Sequence, residues 1–246
     1  LRTLVDVGAM PFVLPEFLPS IGFDAHHPNH HLLLHDHVFA VVDEAARRGA
    51  DIVVRVAALF HDLGKPETYT EERRPDGTVV GHCLGHDVRG AEMSRAIADR
   101  LRLGAAEGFP SDGVDDAIAL VRHHLIDLTP ESSERAWRRW LHRVGGRGRA
   151  DRLLDLWAAD RFGHREGLDE DRLERLRARL RRTAVPPLGQ HDLAVDGREL
   201  ARRFDVEGRE IGRLKRALLD KVVDGDLPNR TEDLIEAARG LLGADP

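Results

Sequence analysis

The sequence predicts an all-α chain with at most one small β-hairpin. Three observations carry that prediction. Apolar residues recur at helical spacing along most of the 246 residues. Beyond residue 185 the short periodic runs are separated by Gly and Pro. One stretch, residues 67–82, departs from the pattern, with Thr68-Tyr69-Thr70, then Pro75-Asp76-Gly77, then Thr78-Val79-Val80.

The elements follow in order. Residues 1–20 read as a short helix and a connector rich in proline (Pro11, Pro15, Pro19). His35 to Arg48 reads as a helix with Leu34, Val38, Val41, Val42 and Ala45 on one face and Gly49 as its stop. Asp51 is placed to cap a helix from Ile52 to Asp62. After the hairpin or long loop, His86 to Leu101 is helical and ends near Gly104. Asp112 to Asp127 is the next helix, followed by helices around 131–144, 149–162 and 168–183. Val185-Pro186-Pro187-Leu188-Gly189 then breaks the pattern and sets the expected domain boundary, 1–184 against 185–246. Short helices near 197–204, 208–224 and 231–242 complete a small helical C-terminal extension.

Composition narrows the function classes. Hydrophobic residues make up 41%, enough for a folded core. No apolar run approaches the ~18 residues that a membrane span needs, and no signal peptide is visible. Cys83 is the single cysteine, so no internal disulfide forms and a cytoplasmic setting is expected. The chain opens on Leu1 rather than Met, as a piece of a longer polypeptide would. A net charge of −6 argues against a generally basic nucleic-acid binder. From Glu131 to Arg182, however, fifteen Arg face ten Asp plus Glu. That stretch reads either as solvated amphipathic helices or as a track for phosphates.

The chemistry concentrates at His61-Asp62, inside Ala57-Ala58-Leu59-Phe60-His61-Asp62-Leu63-Gly64-Lys65-Pro66. An apolar helical run ends there on an imidazole and a carboxylate, a nitrogen and an oxygen ligand for a divalent cation. His37, His86, His123-His124 and Asp160 lie on other predicted helices. Together they would supply one cation with two His and two Asp, or two cations with four His and two Asp. On a helical wheel Val114, Ala117, Ile118, Val121 and Leu125 define the buried face, which puts His124 at its edge and His123 nearly opposite. His124 is therefore the expected ligand and His123 a rim residue. Asp160, one turn after Leu156 and Trp157, points inward, where a cation offsets the cost of a buried charge. In His26-His27-Pro28-Asn29-His30-His31, surface imidazoles are expected, with His31 the one placed to approach the site. His82, His142, His164 and His191 read as ordinary histidines.

These segments resemble the HD superfamily of metal-dependent phosphohydrolases. Gly22 to His31, Asp36-His37-Val38, Ala57 to Pro66, Gly85 to Met93 and Leu120 to Leu125 are more particularly similar to the HD region of bacterial tRNA nucleotidyltransferases, CCA-adding enzymes and related poly(A) polymerases. Leu193 to Leu200, Gly212-Arg213-Leu214 and Asp224 to Asn229 are similar to that family's C-terminal tail. The resemblance implies an HD-type helical bundle with metal ligands at His37, His61, Asp62, His86, His124 and Asp160. The family's catalytic head, with a Gly-rich strand motif and paired aspartates, has no counterpart among these residues. The expectation is a chain that does not itself add nucleotides: a piece of a longer enzyme, or a free-standing HD protein.

Phosphoester hydrolysis on a nucleotide or RNA end follows as the expected activity. Asp62 would orient water, Lys65 would neutralise phosphate charge, and Arg89 and Arg122 are further phosphate contacts. Manganese, iron, nickel, zinc and magnesium all suit mixed His/Asp ligation. Two rivals stand beside this reading: a non-catalytic RNA-binding body that grips tRNA, and a regulatory nucleotide-binding domain with a decayed site. No Ser or Cys nucleophile arrangement competes, and no phosphate-binding glycine loop is present.

Overall fold

A computed structural model describes residues 1–26, 32–164 and 166–243. The chain opens with α1 (Arg2–Asp6), α2 (Met10–Val13) and a 3₁₀ turn at Pro15–Ser20. Then come α3 (Leu34–Arg47), α4 (Ile52–Phe60) and α5 (Lys65–Thr68). Strands β1 (Thr70–Arg73) and β2 (Val79–His82) form the hairpin, antiparallel with Thr70 opposite His82. There follow α6 (His86–Leu101), α7 (Gly113–His123), α8 (Glu134–Val144), α9 (Arg147–Phe162) and α10 (Glu170–Arg182). Last come α11 (Gly197–Phe204), α12 (Arg209–Asp224) and α13 (Thr231–Gly243). The all-α class with one hairpin holds, and among the described residues no helix is long and apolar enough to cross a membrane.

Local chemistry explains the boundaries. The Asp51 carboxylate accepts from the Val54 amide at 3.0 Å and caps α4. Gly49 takes φ +75° after α3, where a side chain would be strained. Gly77, at φ +86°, turns the hairpin, and Asp76 accepts from the Thr78 amide at 2.9 Å.

Two boundaries differ from expectation. The helix expected from Ile52 to Asp62 ends at Phe60, and a short further helix, α5, begins at Lys65. Pro66 sits in the first turn of α5, where its missing amide costs nothing. And α7 stops at His123 rather than Asp127. The His124 ring donates from Nδ1 to the Val121 carbonyl at 2.7 Å, taking the acceptor that the Leu125 amide would need for the helix to continue.

The chain divides into two compact units. The first comprises Leu1–Asp127 with Asp151–Arg175, the second Leu128–Ala150 with Leu176–Pro246. The sequence boundary at 184/185 thus falls inside the second unit. Irregular backbone at Pro186-Pro187 turns the chain without ending its packing. Arg138 of α8 donates to the Val222 and Val223 carbonyls at the end of α12, and His142 donates to the Pro187 carbonyl at 2.7 Å. The second unit buries Leu200, Leu214, Leu218, Val222, Leu234 and Ala238 in one cluster. In the first unit α3, α4, α6 and α7 pack side by side, with Val41, Val53, Ala57, Ala58, Ile97 and Leu120 fully enclosed.

Candidate metal centre

Five helices deliver the chemistry of the first unit to one place. His37 lies on the buried face of α3, and His61 and Asp62 directly follow α4. His86 opens α6, His124 follows α7, and Asp160 lies near the end of α9. His37, His61 and Asp62 are each 1% exposed, so three polar groups sit where only a strong partner makes burial tolerable.

The ligand atoms form two triads, His37–His61–Asp160 and Asp62–His86–His124, each with its N and O atoms within 4.8 Å of one another. His37 Nε2 is 3.1 Å from Asp160 Oδ1, and His61 Nε2 is 3.6 Å from the same oxygen. His86 Nε2 and His124 Nε2 are 3.2 Å apart. Asp62 faces both groups. Its Oδ2 lies 3.2 Å from His61 Nε2 and 3.6 Å from His37 Nε2, while its Oδ1 lies 3.6 Å from His86 Nε2 and 3.9 Å from His124 Nε2.

Three imidazoles are oriented by the same device. His61, His86 and His124 each donate from Nδ1 to a carbonyl three residues back, Ala58, Cys83 and Val121, at 2.8, 2.7 and 2.7 Å. A carbonyl only accepts, so Nδ1 carries the proton and Nε2 turns inward as the ligand atom. His61 Nε2 is buried with no hydrogen-bond partner. An inward, unsatisfied imidazole nitrogen beside two carboxylates is the donor chemistry of a divalent-cation site, and these residues fit one.

Electrostatics agree. Burial works against charge on His61, yet the carboxylates of Asp62 and Asp160 outweigh it and push His61 up to about 10. Burial, reinforced by His61 and His86, pulls His124 down to about 4. Asp62 stays well below the usual carboxylate range: burial opposes this, but His61 and Lys65 prevail. Asp160 is likewise held down, against burial, by His164, His37 and His61.

The centre opens into a cleft of about 270 Å³ whose lining includes Asp62, Lys65, His86, His124, Asp160 and His164. Lys65 is buried rather than a surface cation, with Nζ 2.7 Å from Asp62 Oδ2. Arg89 and Arg122 are drawn elsewhere: Arg89 binds Glu67 at 2.6 Å and Glu92 at 3.1 Å, and Arg122 pairs with Asp87. His123 is half-buried and does not line the cleft. His31 lies outside the described residues.

Two features escape the sequence reading. His164, read as an ordinary histidine, lies with Nε2 3.3 Å from Asp160 Oδ1 and lines the cleft. The i,i+4 spacing from Asp160 was the available signal. The buried face of α7 also runs through Gly113, Asp116, Ala117, Leu120 and Val121 rather than out to Leu125, which is 53% exposed. Asp116 has a purpose there, as it pairs with Arg152, which also holds Asp51 at 2.7 Å. His124 is still buried, as expected.

Fold and centre together define a helical protein built around clustered imidazoles and carboxylates. Residues 34–164 match the HD domain, and the chain belongs to that family. Among curated relatives it is 35% identical over 240 residues to the CC-adding tRNA nucleotidyltransferase of Thermus thermophilus, an alignment covering 94% of this chain and 50% of that protein. It is 31% identical over 238 residues to the A-adding tRNA nucleotidyltransferase of Deinococcus radiodurans, covering 92% and 50%. It is 35% identical over 129 residues to the multifunctional CCA protein of Azoarcus sp. strain BH72, covering 51% and 28%. The chain spans about half the length of the first of these relatives.

Proposed function

We propose that the chain is a metal-dependent phosphohydrolase acting on a phosphomonoester or phosphodiester of a nucleotide or RNA end. The observation that supports this most is the position of Asp62, which belongs to one triad with His86 and His124 while its Oδ2 lies 3.2 Å from His61 Nε2 of the other, in a cleft that also holds Lys65. His37, His61 and Asp160 would hold one divalent cation, His86 and His124 a second, and Asp62 would touch both. Bound cations supply charge neutralisation at phosphoryl oxygen and acidify water. The chain's own groups do the rest. Asp62 orients the attacking water. Lys65 Nζ, already inside the cleft, binds a phosphoryl oxygen. His164 holds Asp160 in place. Arg89 and Arg122 would have to leave their carboxylates to reach substrate, so they are assigned to the rim with His123.

The test is a phosphoester panel that includes a 2′,3′-cyclic nucleotide, run on the isolated protein with and without added Mn, Fe, Ni, Zn or Mg. Turnover that needs metal and drops at least about 100-fold in Asp62→Ala is expected. An Asp62→Ala variant with full metal content and full activity would overturn the assignment.

A second reading has its own support. The similar proteins are named as tRNA nucleotidyltransferases, and this chain spans half their length. On that reading it is a non-catalytic region that binds tRNA. Much of the Arg-rich stretch already has internal work: Arg139 pairs with Asp224 at 2.5 Å, Arg179 with Glu134 at 2.9 Å, and Arg147 donates to the Thr183 carbonyl at 2.7 Å. Arg143, Arg175, Arg181 and Arg182 remain exposed. Salt-sensitive tRNA binding that survives chelation, with no turnover on any ester, would favour this alternative.

A further inference from the structure

We infer that Leu84 and Leu125 form an apolar seat for the nucleoside part of a substrate whose phosphate lies at Lys65 and the metal triads. The inference rests on the hydrolase reading and adds the substrate's second recognition element. Leu84 is 86% exposed and Leu125 is 53% exposed, and both line the cleft that contains Asp62, Lys65, His86 and His124. A single exposed leucine is ordinary. Two leucines lining one catalytic cleft, neither buried in the core, are not explained by folding.

Their placement is tied to the centre by the chain itself. Leu84 lies two residues before His86, and Leu125 directly follows His124. The two imidazoles those segments deliver meet at 3.2 Å between their Nε2 atoms. The leucines therefore adjoin two ligands of the Asp62–His86–His124 triad in the chain and line the same cleft, which thus joins cationic and metal-binding groups to exposed apolar surface. That combination matches a phosphate joined to a flat, weakly polar ring system. A cleft of about 270 Å³ lies at the small end of ligand pockets, which suits one nucleoside rather than a folded polynucleotide. A free nucleotide and the terminal residue of an RNA chain present the same chemistry.

The experiment is equilibrium binding to the metal-loaded protein, with inorganic phosphate, adenosine 5′-phosphate and an oligonucleotide ending in a 5′-phosphorylated adenosine as probes. Wild type is expected to bind adenosine 5′-phosphate at least about tenfold tighter than phosphate. The double variant L84S/L125S should lose that preference while keeping its phosphate affinity. Because both side chains are exposed, its helicity and melting point should match wild type. Oligonucleotide binding equal to that of the mononucleotide assigns the seat to RNA ends as well, and weaker binding assigns it to free nucleotides. Equal affinity for phosphate and adenosine 5′-phosphate in wild type, with phosphate binding lost in Lys65→Ala, overturns the seat and leaves the hydrolase reading standing. Failure to bind any of the three probes overturns both.

Discussion

Asp62 is the residue on which the centre turns, because its two oxygens face different triads. His61 shows what such a site does to a proton. Its pKa, pushed up to about 10, means that the metal-free protein carries an imidazolium there at neutral pH. A raised pKa contributes stability that is complete below the ordinary value of 6.5 and is lost as pH climbs through about 10. Metal-free protein should therefore melt progressively lower from pH 7 to pH 10. Metal loading must expel that proton, so calorimetry in buffers of differing ionisation enthalpy should record proton release, and metal affinity should rise with pH. A melting point of the chelated protein that is flat over this range, with no proton release on loading, would contradict the assignment.

Glycines show how closely the backbone itself approaches the ligands. A methyl at Gly64 would press on the His86 carbonyl and stand 2.8 Å from the Gly90 amide nitrogen. Gly64→Ala is expected to cost about 1–3 kcal/mol in denaturant unfolding and to weaken metal binding, because it pushes α6 and His86 away from Asp62. At Gly163 a methyl would stand 2.7 Å from His37 Nδ1, so the turn after α9 touches the first triad directly. The sequence displays the His and Asp residues plainly, since their types announce their chemistry. It does not display His164. A lone histidine beyond a helix end looks like any other until the helix carrying Asp160 is placed beside α3.

At the scale of elements, caps and ion pairs hold the ligands in register. Asp51 both caps α4 and takes Arg152 from α9, so the helix that presents His61 is fastened to the helix that presents Asp160. Asp51→Ala should cost about 1–2 kcal/mol by denaturant midpoint, the upper part reflecting the lost Arg152 contact. Glu44 on α3 is 3% exposed and binds Arg47 and Arg48, and Arg48 also reaches Glu170 at the start of α10. The hydrogen bond from Arg47, opposed by burial and joined by Arg48, lowers the Glu44 pKa from 4.5. A depressed carboxylate contributes stability that is present above its unfolded value and is lost as pH falls through the folded one. The stability gap between wild type and Glu44→Gln should thus be widest near neutral pH and narrow as pH falls below 4.5. A gap that did not narrow at all on acidification would show that the pair is not its source.

Helices were the legible part of this scale, because periodicity and caps are local. Their ends were less so. The stop of α7 depends on an imidazole competing for a carbonyl, and α5 depends on Pro66 falling in its first turn, where the fixed φ of proline favours a helix start. Leu125 misled the wheel for α7 because it already lies past the helix and faces solvent.

At the scale of the molecule, the sequence boundary and the compact units answer to different physics. Proline and glycine mark where the backbone turns. Packing decides what stays together, and Arg138 and His142 bind α8 to segments far along the chain. Such long-range pairings have no local signature. The candidate centre is a different matter, since distant His and Asp residues suggest one cluster before any fold is known. Metal removal should accordingly lower the melting point of the first unit, as binding to the native state alone stabilises it by mass action.

The most direct test is metal stoichiometry by elemental analysis after loading and dialysis, for wild type and Asp62→Ala side by side. Two divalent ions per wild-type chain are expected, with a loss of at least one when Asp62 is removed. Wild-type protein that retains no divalent ion, or a variant that retains as many as wild type, would contradict that expectation.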